Sequence, residues 1–529
     1  MTEIGMTGLQ LADYVCIVGY LAFVIVLGSG FARQQKTTND YFLAGKTMTW
    51  VPLSISIYAT IFSSISYVMA PAEAFRYDLQ YLAALVLFPF VAVLAIILFI
   101  DVFVRLRVET VFQYLETRFN KAVSAIMMTS YIVFRCLYGG IVVYALSLVL
   151  HVVMGFPLKA TIVGVGLGTV FYTSLGGIKG VIWTDVAQFF IMLGGIAVAL
   201  VYAIHQVPGG FREAYDIAAA EGRLRWINTD FDLTQRYVIW TLIPYGIVDF
   251  LGSKGVEQMN VQRFVSARSP FNAKMAMLVQ SFFTMPFWLL LFGVGIGLFA
   301  YYRHHPSPEV AQFIAAKQYD RIFPHFIYSV MPVGMRGLMI AALLSAAMST
   351  ISSLFNVLSM LTTPGVSAAY VRQFKQPLSS RGRVVMAKCL TVAWGLLVIV
   401  AALSMIRIES ILKTVNSIIG IFTGPMTGIF LLGLFSRRAN APGVLIGFVA
   451  SFATGLYLQY GTKLTFTIFG TVELVVMLVV GSLASRCFAT PEQSRIEPLL
   501  WRWHGWREML FGGDKSTPAG DSAKCVTEP

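Results

Sequence analysis

Apolar residues come in long runs along this chain, and a run of roughly 20 is what a helix needs to cross a bilayer. About thirteen stretches qualify. They run from Leu11 to Phe31, Trp50 to Ala70, Leu79 to Val102, Ala122 to Met154, Leu158 to Leu175, Val181 to His205 and Tyr237 to Gly252. The series continues with Ala273 to Tyr302, Val333 to Thr363, Val384 to Met405, Ile411 to Phe435, Gly443 to Tyr460 and Leu464 to Cys487. The pattern predicts an all-α polytopic membrane protein with one continuous transmembrane domain over 1–487 and a polar tail over 488–529. Asp13, with no basic residue ahead of it, argues against a cleaved secretory signal, so the first stretch is expected to stay as a helix.

Two of these stretches carry more polar atoms than spanning requires. In Val333 to Thr363, Ala346, Ser349, Thr350, Ser353 and Asn356 recur at three- and four-residue steps, with Ser352 beside them, so they share one helical face. Close packing of spans is one use for small hydroxyl residues. The other is a row of neutral oxygens for a hard monovalent cation, if a second element brings carbonyls opposite. Val51 to Pro71 is a candidate for that element: Ser54, Ser56, Thr60, Ser63, Ser64 and Ser66 interrupt it and prolines bracket it, as expected where a helix unwinds at the midplane and frees its carbonyls. Five spans later Pro244 to Gly255 is also interrupted by Gly and Pro, and paired interruptions in matching halves point to an inverted-repeat transporter.

Composition agrees, with 57% hydrophobic residues, 12% charged and a mean hydropathy of +0.72. The net charge of +13 is explained by topology, because basic residues gather in alternate connections. Arg33, Lys36 and Lys46 share a side with Arg105, Arg107, Arg118, Lys121, Lys179, Arg263, Arg268 and Lys274. Arg372, Lys375, Arg381, Arg383, Lys388, Arg437 and Arg438 complete that side, which is therefore expected to be cytoplasmic. The N-terminus is then outside and the tail inside, in a cell membrane, and no nucleic-acid partner is called for. Cys16, Cys136, Cys389, Cys487 and Cys525 show no paired spacing, and His151, His205, His304 and His305 have no ligand-spaced Cys or carboxylate, so neither a disulfide framework nor a transition-metal site is expected. The tail from Ala489, with Trp501, Trp503 and Trp506 among Arg502, His504 and Arg507, is expected to lie on the inner membrane surface and fray.

Five motifs together resemble the sodium:solute symporter family: Asn39 to Gly45, Gly176 to Gln188, Val261 to Phe264, Ala346 to Asn356 and Gly424 to Gly433. The sialic-acid, monocarboxylate and iodide branches are the most similar. The resemblance implies a five-plus-five inverted repeat of the leucine-transporter type, with repeat one at about 50–205, repeat two at about 237–435, an extra helix at 11–31 in front and further helices over 443–487 behind. It also implies one or two coupled sodium ions. The first would be held by carbonyls of Ala59, Phe62 and Ala346 with hydroxyls of Ser349 and Thr350; the second by Asp185, Ser349, Ser352 and Ser353. Asp185 has its own argument, since an acid within a span costs a few kcal/mol, about 2.5 to 3.5 at the centre, and needs a partner. The hydroxyl row could supply it; a capping pair with Gln188 is the alternative.

For the solute, the sialic-acid branch uses an arginine where this chain has Tyr138, while Arg135 lies one turn earlier and offers a planar fork for a carboxylate. Pairing with an acid at a mouth of the protein would be its other use. Ser63 and Ser66 keep hydroxyls, and Tyr81 and Leu85 stand where that branch has an aromatic residue and a glutamine. A pocket lined by Tyr58, Tyr67, Tyr81 and Tyr138 suits a small organic carboxylate better than a polyol, with sugar, amino acid or inorganic anion as other solutes of the same class of carrier. Lys254 and Glu257 could pair at i and i+3 or could equally belong to an inner gate. An intramembrane serine hydrolase would need a base within reach, and the histidines sit in loops or at span ends; Asp249 is only a distant second acid for Asp185. A fused sensor lacks a cytoplasmic output domain in the short tail. The sequence therefore predicts a sodium-coupled secondary symporter working by alternating access, not an enzyme.

Overall fold

In a computed structural model of the chain, residues 9–407 and 411–502 are described, without the side chains of residues 152, 153 and 407–421. The described residues are helical, and the only β pairing among them is an isolated bridge between Met48 and Ala267. The long elements are α1 (Leu11–Ser29), α2 (Trp50–Ile61), α3 (Ser64–Arg76), α4 (Leu82–Leu106), α5 (Lys121–Met154), α6 (Leu158–His205) and α7 (Ile239–Gly255). They continue with α8 (Gln258–Val265), α9 (Pro270–His304), α10 (Met335–Phe374), α11 (Ser380–Ser404), α12 (Ile411–Phe435), α13 (Ala441–Gly461) and α14 (Phe469–Ser485).

Nine helices among the described residues are long and apolar enough to cross a membrane, and α2 with α3, bent by 66° at their junction, makes a tenth span. The 48 residues of α6 would measure roughly 72 Å at the α-helical rise, about twice a hydrocarbon core of ~30 Å. Gly177 divides this run, with φ 56° and ψ −164°, a conformation closed to residues with a Cβ. The two stretches expected on either side of it are thus both present. Helix α7 has 17 residues with Pro244 inside it. The span expected at Ile411 to Phe435 is helical, and its residues before Phe422 fall outside what is described of side chains.

Burial sorts these helices. On α1, Leu11, Val15, Val18 and Val26 are exposed while Asp13, Ile17, Tyr20, Val24 and Gly28 are buried, a lipid-facing stripe opposite a packing stripe. Helix α10 is buried on every side from Met339 to Leu361, so it is the axis of the bundle, packed by α1, α6 and α11. Its N-terminus is capped from another helix: Asp13 Oδ1 accepts the backbone N–H of Gly334 at 2.8 Å and of Gly337 at 2.9 Å. A carboxylate there satisfies otherwise orphaned donors and faces the positive end of the helix dipole.

The tail does not all lie loose on the membrane. Ile496, Leu499 and Leu500 are buried, and the Trp501 indole donates to the Ile97 carbonyl at 3.0 Å. That carbonyl belongs to a π-helical turn, Ile96–Ile100, within α4, where the helical ladder is re-registered. Trp503, Trp506 and Cys525 lie outside the described residues.

Removing the cap on α10 tests its weight. Asp13→Ala should lower stability by about 0.5 to 2 kcal/mol, as loss of a helix cap does elsewhere. The readout is the unfolding midpoint of the full chain in detergent, and an unchanged midpoint would show that the contact carries nothing.

Candidate functional site

The junction of α2 and α3 organises the centre of the protein. Phe62 leaves the helical region, with φ −88° and ψ 101°, and Ser63 is extended before α3 begins. The last carbonyls of α2 lose their helical partners there, which in a membrane interior must be made good by other donors. The hydroxyl row on α10 does so. Ser349 Oγ donates to Ala59 O at 2.8 Å and to Ala346 O at 3.2 Å; Thr350 Oγ1 donates to Thr60 O at 3.0 Å and to Ala346 O at 3.3 Å. Carbonyls and hydroxyls of two helices about 290 residues apart in sequence thus converge on one small volume, all of them buried.

Asp185, on α6, is fully buried beside this cluster, mid-helix rather than at a helix start. Gln188 does not cap it: that amide donates to Tyr20 Oη at 3.2 Å. Asp185 Oδ2 accepts from Ser56 Oγ at 2.6 Å and from the Arg263 guanidinium at 2.9 Å. Arg263, on α8, is itself fully buried and donates also to Ser56 Oγ at 2.7 Å, Ser353 Oγ at 2.6 Å and Thr60 Oγ1. The hydroxyl row therefore meets Asp185 through Arg263. Ser352 and Ser353 donate to the Ser349 carbonyl at 3.1 and 2.9 Å. Asp185 Oδ1 has no hydrogen-bond partner among the described residues. Arg263, expected among the basic residues of a cytoplasmic connection, is instead fully buried on α8, because Asp185 and the surrounding hydroxyls give its charge a partner inside the bundle.

A second break faces the first. Helix α7 runs unbroken through Pro244, and the interruption comes later, at Val256 and Glu257, before α8. The expected break within Pro244–Gly255 is thus displaced toward α8: Pro244, in the second turn, removes one backbone donor without ending the helix, whereas Glu257 is extended and caps α8 by accepting Met259 N–H at 3.2 Å. Both breaks open on one cavity of about 340 Å³. Ser63, Ser66, Tyr81, Arg135 and Tyr138, the five residues singled out for the solute, all line it, as does Tyr58. Tyr67 does not; it is buried behind α3, stacked on Phe323.

Lys254 and Glu257 do not pair with each other. Lys254 is buried with its ammonium on Gln280 Oε1 at 2.9 Å and Ser281 Oγ at 2.7 Å, because the break after Gly255 turns Glu257 away from it. Glu257 instead binds the Arg135 guanidinium and the Tyr131 hydroxyl, the latter at 2.5 Å. Arg135 is thus both an ion-pair member and a cavity residue. Its Nε remains a buried donor with no partner among the described residues. Toward the other end of the cavity, Arg236 pairs with Glu73 at 3.3 Å.

The chain is similar to known transporters over most of its length. It is 32% identical over 459 residues to the human sodium-coupled monocarboxylate transporter 1, covering 85% of this chain and 74% of that protein. To the sodium/sialic acid symporter SiaT of Proteus mirabilis it is 30% identical over 494 residues, covering 92% and 97%. The human sodium/iodide cotransporter is 32% identical over 503 residues, covering 94% and 76%. Among solved structures, a substrate-bound, outward-open sodium-coupled sialic acid symporter superposes with a TM-score of 0.81 at 29% identity, covering 92% of this chain and 99% of that one. A nucleobase-cation-symport-1 family transporter superposes with a TM-score of 0.50 at 15% identity, covering 87% and 98%, a likeness of fold alone. Residues 41–451 match the sodium:solute symporter family throughout. This chain therefore belongs to the sodium:solute symporter family: a multi-pass membrane protein of the leucine-transporter inverted-repeat fold, a sodium-coupled symporter and not an enzyme.

Proposed function

We propose that the solute is a small organic carboxylate, held at Arg135 in the central cavity and carried inward with sodium. The observation that carries this reading is the unpartnered Nε of Arg135, a buried donor on the cavity wall whose guanidinium already has one acid in Glu257. A guanidinium has five N–H donors, so a second carboxylate can be accepted without breaking the first pair. Ser63, Ser66, Tyr81 and Tyr138 line the same space and offer hydroxyls. A volume of about 340 Å³ is at the small end of ligand pockets. Two of the relatives are named for acids, sialic acid and monocarboxylates.

The first sodium ion takes the oxygens of Ala59, Phe62, Ala346, Ser349 and Thr350. Hydrogen bonds hold the oxygens of Ala59, Ala346, Ser349 and Thr350 close, and a cation among them would free the hydroxyl protons to turn outward. The second takes Asp185, Ser349, Ser352 and Ser353, and the unpartnered Asp185 Oδ1 is the atom that fits it. Binding at the first site ties the α2–α3 break to α10, and a difference in sodium affinity between open and closed breaks is what couples the ion to the solute. Repeat one spans about 50–205 and repeat two about 237–435, with the N-terminus outside and the tail cytoplasmic, as the basic connections argue.

Uptake into proteoliposomes tests this. With an inward sodium gradient against an equal potassium gradient, a panel of sialic acid, lactate, pyruvate, proline, glucose and iodide should show accumulation of a carboxylate. Arg135→Lys, which keeps the charge for Glu257 but removes the fork, should weaken solute affinity by about tenfold or more, as loss of a charge-assisted hydrogen bond worth about 1.5–3 kcal/mol requires. Unchanged affinity would exclude Arg135 from the site. Asp185→Asn should abolish sodium stimulation of uptake, and normal sodium dependence would remove Asp185 from the ligands.

The Arg263–Asp185 pair gives a separate test. Arg263→Met strands a buried carboxylate and should cost about 3–5 kcal/mol in unfolding free energy, whereas the double variant with Asp185→Asn should recover much of that loss. Additive losses in chemical denaturation would show that the two side chains do not depend on each other.

A further inference from the structure

Behind the cavity, α7, α12 and α14 enclose two acids that neither the sodium nor the solute assignment uses. Glu473, on α14, is 0% exposed, and neither of its carboxylate oxygens has a hydrogen-bond partner among the described residues. The Gly424 amide on α12 approaches it without reaching hydrogen-bond geometry. Asp249, on α7, lies across from it, lines the cavity, and is within hydrogen-bond reach of Tyr245 and Thr423. A Cβ built on Gly470, one turn before Glu473, would sit 3.5 Å from Asp249 Oδ1.

No described cation faces this pair. From α7 come Asp249 and Tyr245, with Tyr81, just before α4, beside them; the described part of α12 brings Thr423 and Thr427; from α13, Ser451 donates to the Glu473 backbone carbonyl at 2.7 Å. The turn before α14, Phe466–Ile468, carries no titratable group. Two ionised carboxylates facing each other in a low-dielectric interior, one without a hydrogen-bond donor among the described residues, would each lose hydration and repel the other. The site has to take up positive charge.

Space decides which kind. A Cβ on Gly424 would lie 2.8 Å from Glu473 Oε2 and 2.5 Å from its Cβ, so the acid is pressed against the α12 backbone. A sodium ion needs several oxygens around it, whereas a proton needs only the carboxyl itself and no added volume. We infer that Glu473 holds a proton against an ionised Asp249, so that the pair is a proton-binding site on the wall of the solute cavity. Asp249 connects it to the cavity, and the proton reaches water through Asp249 when the cavity is open. A solute that fills the cavity and excludes water favours the neutral Glu473, which links proton occupancy to solute occupancy. The link to the solute rests on reading the cavity as the solute site; the proton on Glu473 does not, and the experiment below tests the proton alone.

The experiment is infrared spectroscopy of the full chain in liposomes, where a protonated carboxyl shows a carbonyl band that an ionised one lacks. At neutral pH the wild type should show the band, and Glu473→Gln should lack it. In Asp249→Asn the band should persist but vanish at a lower pH than in the wild type, because the neighbouring negative charge that opposes ionisation is gone. A wild-type spectrum without the band, an unchanged band in Glu473→Gln, or an unchanged vanishing pH in Asp249→Asn would each overturn the inference. Sodium-induced stabilisation, read as the melting shift in the same liposomes, should be the same in Glu473→Gln as in the wild type; its loss would make Glu473 a metal ligand instead. If Glu473→Gln does not assemble, the Asp249→Asn titration still decides.

Discussion

The bonds from Ser349 and Thr350 to the carbonyls of Ala59 and Thr60 are what the centre of this protein depends on. A helix broken in the middle of a membrane leaves carbonyls with nothing to accept, and each would cost several kcal/mol if it stayed so. Here hydroxyls on α10 answer them. The break is thereby stable and remains rich in oxygen, which is the condition for a cation to replace the same bonds. It also ties α2 to α10 across about 290 residues of sequence.

Charge is handled by the same economy. Arg263 with Asp185, Arg135 with Glu257, and Lys274 with Asp101 at 3.1 Å each join elements far apart in sequence. A buried pair of this kind is weak as a source of stability but strict about its partners, because separating the two strands a charge. Helix α8 is a short piece whose Gln258, Asn260, Gln262 and Arg263 are all buried, and it ties the second break to the short helix Thr38–Leu43 before α2 and to α10: the Gln262 amide donates to Phe42 O at 2.8 Å and to Asn356 Oδ1 at 2.7 Å. Motion of the second break cannot then leave the hydroxyl helix undisturbed.

Much of this was legible beforehand, and the reasons are particular. The hydroxyls of α10 could be placed on one face by counting, because helical period is local and nothing in the tertiary structure alters it. The break at Phe62 was signalled by too many serines in a span. The second break was placed too early, since Pro244 and Gly246 look like interruptions in sequence but sit in an unbroken helix, whereas the real break at Val256 and Glu257 follows Gly255, the last residue of the segment. The Lys254–Glu257 pairing failed for the same reason: i and i+3 are neighbours only while the helix continues.

The sequence by itself determined the class of environment, the helical count and the faces of the helices, because hydropathy and period are properties of consecutive residues. Through its motifs it also pointed to the atoms that line the candidate ion sites. Only the tertiary structure decided partners: that Arg263 neutralises Asp185, that Arg135 answers to Glu257 as well as to the cavity, and that Glu473 faces Asp249. In a membrane a buried polar group is costly without a partner, and which partner it finds depends on helices tens to hundreds of residues away.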